Sequence, residues 1–154
     1  MKVDMKNNIK VALYCRVARE DDTAIKIQEE MLRRFAEENN YTNLSIYTDN
    51  GFNGLNFNRP AFMQMDNDIE AGLIDTVIVK DLSRLSRNTI NIFDWLDKIQ
   101  SKGVSFKSVL DNFHTLKETN NTLFQAFNEY RTKHKMRNYI KNKKDNKKLY
   151  QGEF

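Results

Sequence analysis

The sequence predicts an α/β domain: a mostly parallel sheet of four to five strands flanked by helices, followed by a long basic C-terminal helix. Three observations predict it. Short apolar runs of strand length alternate with longer segments whose apolar residues recur every three or four positions. Each longer segment lies between two such runs, and a crossover of that kind brings the next strand back parallel to the last. The charge is also split: residues 131–154 hold nine Lys and Arg against two acids, whereas residues 1–130 hold 16 against 19.

Taken in order, residues 9–15 (IKVALYC) form a first strand. Residues 24–39 then place Ile25, Gln28, Met31, Leu32 and Phe35 on one helical face, with Glu29, Glu30, Arg33 and Arg34 outward. Residues 44–48 (LSIYT) are a second strand, and residues 49–58 (DNGFNGLNFN) are dense in Asn and Gly and read as loop. Pro60 suits the first turn of a helix carrying Phe62, Met65 and Ile69, which stops at Gly72. Residues 75–80 (DTVIVK) are the clearest strand, and the unbroken β-branched run predicts a central position buried on both faces. After residues 81–88 comes a helix with Ile92, Phe93, Trp95, Leu96 and Ile99, ended by Lys102-Gly103. Residues 104–110 are a fourth strand, then a polar loop. From about residue 120 a long helical segment carries Leu123, Phe124, Phe127, Tyr130 and Tyr139. The expected division is a domain at 1–118 and a helix with basic tail at 119–154.

Composition narrows the class. With 154 residues, 40% of them hydrophobic, and ten Phe, the chain has the apolar mass for a core and the size of one ordinary domain. No stretch approaches the roughly 20 apolar residues of a membrane span, and the first six residues lack a signal-peptide core. Cys15 is the only cysteine, so neither an internal disulfide nor a cysteine zinc site can form. The chain reads as cytoplasmic. His114 and His134 stand alone without a second ligand at metal spacing, so no metal is expected. Cys15 faces inward on its strand as a core thiol, and Phe62, Met65, Trp95, Leu96 and Ile99 read as helix core. The basic tail fits either contacts with nucleic-acid phosphates or a solvated helix.

In open α/β sheets ligands bind beyond the carboxyl ends of the strands. Arg16, Arg59, Arg84 and Arg87 all fall there, and Arg84 and Arg87 lie three apart at the start of a helix, where one face can carry both. Ser86 or Asn88 can cap that helix, whose free N–H groups favour an anion. Four guanidiniums suit phosphate oxygens. The alternative is ordinary pairing with Asp21, Asp22, Asp49 and Asp81. No Gly-rich phosphate loop of either common type is present, which argues against a nucleotide-binding domain.

The stretch VALYCRVARED resembles the opening motif of the serine recombinase (resolvase/invertase) family, Tyr-x-Arg-Val-Ser. The segments DNGFNGLNFNRPAFMQMDNDIEAG and IDTVIVKDLSRLSRN resemble the next two blocks, in order and spacing, and are most like large serine recombinases of transposon type. The resemblance implies a resolvase-like catalytic domain acting on double-stranded DNA, with no metal or nucleotide cofactor. The resemblance also implies a homodimer that joins into a tetramer in a synaptic complex. In that family a serine hydroxyl attacks the phosphodiester and links to a DNA 5′ end, while arginines stabilise the developing charge. Arg16, Arg84 and Arg87 fall on catalytic arginines, Arg59 on a further phosphate-site arginine, and Tyr14, Gln28 and Asp49 on supporting positions. Leu123, Phe127 and Tyr130 suit a partner helix. Arg131, Lys133, Lys135, Arg137, Lys141, Lys143 and Lys144 suit DNA phosphates.

The departures carry information too. Ala18 stands at the nucleophile position, and a methyl group has nothing to attack phosphorus with. Asn53 stands for a second serine, Ser86 for the usual Gly between the two arginines, and Ser83 where small resolvases carry Asp. Ser83 and Ser86 read as a helix cap and a loop hydroxyl. The expected activity is therefore site-specific recombination in family terms, with this chain inactive. A non-catalytic DNA-associated or subunit-pairing homologue is the alternative.

Overall fold

In the computed structural model, residues 8–115 and 122–151 are described. The first apolar run is strand β1 (Lys10–Val17), buried from Val11 through Arg16. It continues past the apolar residues because β2 (Asn43–Asn50) pairs with it in parallel as far as Arg16↔Asp49 and Val17↔Asn50. Asp49 and Asn50 thus finish a strand and do not begin the loop expected from their composition. Polar residues at a strand end have no apolar period to announce them; the ladder register holds them there.

β3 (Thr76–Val79) pairs in parallel with the other side of β1, and β4 (Ser105–Ser108) in parallel with β3. β5 (Phe113–His114) pairs antiparallel with β4, inside the stretch read as polar loop. The described sheet has five strands in the order β2-β1-β3-β4-β5. β3, expected to be central, stands in the middle with all four residues buried.

Helix α1 (Asp22–Glu38) is capped by Asp21, whose carboxylate accepts from the Ala24 N–H at 3.0 Å. Helix α2 (Pro60–Glu70) starts on proline, and α3 (Thr89–Ser101) ends at Lys102 and Gly103, the glycine taking φ +80°. The period of two along β1 divides the core. Val11, Leu13 and Cys15 pack with Ile25 and Leu32 of α1. Tyr14, on the other face, meets Phe62 of α2 edge-on at 5.5 Å, and Phe62 leads to Trp95 and Phe106 at 5.3 and 6.1 Å steps. Phe62, Met65, Trp95, Leu96 and Ile99 are core residues as read, and the Cys15 thiol is fully buried.

The chain divides between residues 119 and 120 into two compact units. The second holds one helix, α4 (Thr122–Gln151). Within it Tyr130 stacks on His134 at 6.0 Å, and the Arg131 guanidinium lies 5.6 Å from the Phe127 ring. Lys133, Arg137, Lys141, Lys143 and Lys144 are exposed. The side chains of Phe124, Lys135 and Tyr139, and the expected boundary at 118/119, lie outside the described residues. No helix among the described residues is long and apolar enough to cross a membrane.

Candidate phosphate-binding site

The frame of the site is a buried chain of hydrogen bonds on the Tyr14 face of β1. The Tyr14 hydroxyl donates to Asp49 at 2.7 Å and accepts from an Arg59 terminal nitrogen at 2.9 Å. Asp49 also accepts from the Ala61 and Phe62 N–H groups at 2.9 and 3.0 Å. It thereby caps α2 from a neighbouring strand, since Arg59 at the N-cap makes no side-chain cap bond. Burial, followed by the bond to Asp49, pushes the Tyr14 hydroxyl well above its usual pKa.

Arg59 is 1% exposed. Its terminal nitrogens donate to the Arg84 carbonyl at 2.9 Å and to the Leu85 carbonyl, and its charge lies 5.0 Å from the Phe62 ring. Burial lowers its pKa, while Tyr14 and Asp49 oppose that shift. Arg59 therefore supports segment 84–85 from beneath.

Arg16 is 4% exposed and occupied in the same way. Its Nε donates to the Arg84 carbonyl and one terminal nitrogen to the Phe52 carbonyl, both at 2.9 Å; the other donates to the Ser83 carbonyl at 2.5 Å. Past Tyr14↔Val79 no β3 residue flanks β1, and Gln28 of α1 takes over that role. Its amide accepts from the Arg16 N–H at 3.0 Å and donates to the Arg16 carbonyl at 3.2 Å. That carbonyl also accepts from Arg84 Nη1 at 3.0 Å. Burial and then the charge of Arg59 lower the Arg16 pKa, with Arg84 and Arg87 adding to the effect and Tyr14 opposing it.

Residues 82–84 form a single 3-10 turn, and α3 begins only at Thr89, so Arg84 and Arg87 do not share a helical face as expected from their spacing. The fold brings them together by another route. Their segment wraps over the carbonyl-binding forks of Arg16 and Arg59, and the loop at residues 51–58 closes on it. Gly54 is the contact point. Its carbonyl accepts from the Arg87 N–H at 2.9 Å and the Ser86 hydroxyl at 3.3 Å. A side chain there would meet Arg16 Nη2 at 2.9 Å and Arg87 Cγ at 3.4 Å. This glycine is a site residue that charge patterning does not reveal; an Asn- and Gly-dense loop beside arginines is the available signal.

Asp81 caps the 3-10 turn and Asn88 caps α3. Ser83 and Ser86 fill neither cap. The Ser83 hydroxyl donates to Asp81, and the Ser86 hydroxyl accepts from the Asn88 N–H at 3.0 Å. Of the four anticipated carboxylate pairings, the one present is Arg84 with Asp81 at 3.4 Å. Arg87 is exposed, and among the described residues its side chain makes no ion pair or hydrogen bond. Ala18 lies just past β1 and is exposed. Asn53 turns its own loop, accepting from the Leu55 N–H at 3.1 Å. The Cys15 thiol, pushed up to about 12 by burial, stays protonated. Among the described residues no His, Cys, Asp and Glu side chains gather as a metal-holding group.

A mostly parallel sheet with guanidiniums gathered beyond the carboxyl ends of its strands defines an α/β domain whose cations converge at one end. The chain belongs to the family described as Resolvase, N terminal domain, which matches residues 11–150. Among curated proteins it is similar to a resolvase of Clostridium perfringens, 32% identical over 100 residues, covering 65% of this chain and 49% of that protein. A resolvase of Clostridium perfringens strain 13 / Type A is 35% identical over 69 residues, covering 45% and 35%. The match thus spans half or less of the length of those relatives. Among solved structures, the N-terminal catalytic domain of TP901-1 integrase superposes with a TM-score of 0.69 at 31% identity, covering 82% of this chain and 98% of that one. A resolvase family site-specific recombinase from Streptococcus pneumoniae superposes with a TM-score of 0.65 at 25% identity, covering 88% and 94%.

Proposed function

We propose that this chain is the catalytic-domain part of a site-specific recombinase that holds a DNA phosphodiester in its arginine site and does not cut it. The observation that carries this reading is that Arg16 and Arg87 meet at Gly54 while Arg84 bonds the Arg16 carbonyl, two residues before an exposed alanine. Arg84 and Arg87 have donors to offer a phosphate oxygen. Arg16, Gln28, Tyr14, Asp49 and Arg59 hold the backbone that presents them. Ala18 supplies no hydroxyl, so no bond from protein to phosphorus forms there. The partner is double-stranded DNA, and the chain pairs as a homodimer that joins a tetrameric synaptic complex. Arg131, Lys133, Lys135, Arg137, Lys141, Lys143 and Lys144 contact the DNA backbone.

Restoring the nucleophile tests this. The unmodified chain, incubated with duplex DNA and run on a denaturing gel, gives no covalent adduct, whereas Ala18→Ser in a full-length context with its target site gives one. An adduct from the unmodified chain overturns the reading. The second reading, a DNA-associated or subunit-pairing homologue, is favoured by Ser86, whose hydroxyl ties down the neighbouring loop; under it the Ala18→Ser variant stays inert. The tail is tested separately. Replacing Lys141, Lys143 and Lys144 with Gln flattens the salt dependence of DNA binding by about 2.7 log units per log unit of salt, at about 0.9 per phosphate contact.

A further inference from the structure

We infer that Ser86 is a positioning residue that latches the loop at residues 51–58 across Arg16, so that the loop's own backbone competes with a phosphate for that guanidinium. This rests on the phosphate reading of the site. Three observations meet here. Arg16 gives all three of its nitrogens to backbone carbonyls, one of them Phe52 of the loop. Gly54 of the same loop sits so close to Arg16 Nη2 that even a Cβ would crowd it. Ser86, 2% exposed, closes the loop onto the arginine segment by donating to the Gly54 carbonyl, while the Arg87 N–H holds that carbonyl from beside it.

A carbonyl oxygen and a phosphate oxygen are the same kind of acceptor to a guanidinium, and the phosphate is the stronger one because it is charged. Arg16 can take the phosphate only when the Phe52 carbonyl leaves, and the loop leaves only when its hold at Gly54 is broken. The binding-competent state is therefore the open one, and its population scales the apparent affinity. A glycine at position 86 would have no hydroxyl to make the tie. The serine in this chain adds a bond that favours the closed state.

The experiment uses the whole chain with Ser86→Ala, which removes the hydroxyl tie, and Gly54→Ala, whose Cβ crowds the closed loop against Arg16 Nη2. Amide hydrogen exchange at Phe52 and Arg87 reports loop opening, and calorimetry with inorganic phosphate reports the site. Losing a hydrogen bond of ordinary net strength raises the open fraction about fivefold. Exchange at both amides is expected to accelerate by that factor, and phosphate to bind about fivefold more tightly. The opposite signs matter, because a merely structural loss would loosen the loop and weaken binding together. Faster exchange with equal or weaker phosphate binding overturns the inference: the loop then builds the site and does not compete for it. Unchanged exchange in both variants also overturns it. If exchange responds but neither the parent nor the variants bind phosphate, the competition falls together with the phosphate reading, and the tie at Gly54 stands as a fold contact alone.

Discussion

Arg16 and Arg59 on one side, and Arg84 and Arg87 on the other, are the same residue type in one site with different employment. The inner pair is buried and spends its forks on the carbonyls of Phe52, Ser83, Arg84 and Leu85. The outer pair rides on the segment those forks hold, Arg84 partly exposed beside Asp81 and Arg87 in solvent. A guanidinium carries five donors and no acceptor, so it can either organise backbone oxygens or grip an anion. Which it does depends on how many protein oxygens surround it.

The sharpest way to break this comparison is to remove an inner arginine. Arg59→Ala takes the donor from three buried acceptors, the Tyr14 hydroxyl and the Arg84 and Leu85 carbonyls. With each buried acceptor left unsatisfied costing at least about 1 kcal/mol, denaturant unfolding should show a loss of about 3–5 kcal/mol; a loss below about 1 kcal/mol would put Arg59 with the outer pair. Next in size is Asp49→Asn, which keeps the shape but sets an amide against the Ala61 and Phe62 N–H groups. The expected loss is about 2 kcal/mol, with helix signal lost alongside it.

A pH scan sharpens the account of the interior that holds the inner pair. The folded Cys15 thiol is raised from 9.0 to about 12, and Tyr14 is raised in the same direction. Between about pH 9 and 12 the folded chain therefore binds more protons than the unfolded chain, and stability falls as pH rises through that window. Urea midpoints measured from pH 8 upward should decline from about pH 9 in the parent. In Cys15→Ala the decline should start near pH 10, where unfolded tyrosine titrates. The smallest effect on stability belongs to the outer pair. Arg87→Ala should change it by less than about 0.5 kcal/mol while weakening phosphate or DNA binding about tenfold. Equal losses for Arg59→Ala and Arg87→Ala would erase the distinction.

Much of the fold is legible in the sequence, and the reasons are particular. Thr76–Val79 announces a central strand because all four residues are β-branched, Pro60 marks a helix start by fixing its own backbone, and Gly103 marks a helix end by taking a positive φ. The approximate whereabouts of the arginines follow from strand ends. What does not follow is their direction. Arg16 and Arg59 turn inward toward carbonyl oxygens, and every residue has a carbonyl, so the sequence holds no signal for which ones converge. The helical spacing of Arg84 and Arg87 misleads for a related reason: Asp81 and Asn88 cap separate turns, which places Leu85 to Arg87 between helices. β5 escapes notice because two residues cannot display a period.

The carboxylate that caps α2 has a consequence for how the chain folds. A helix with its own N-cap can begin to form from neighbouring residues alone, but α2 draws its cap from Asp49, 12 positions before Ala61. Asp49 in turn is fixed by its register opposite Arg16, on a strand reached only after α1 has crossed over. The nucleation barrier of α2 is thus lowered only once a non-local pairing exists. A peptide covering residues 60–70 should stay largely unstructured in water by circular dichroism, and in the intact chain the second helix is expected to follow the β1–β2 pairing in time.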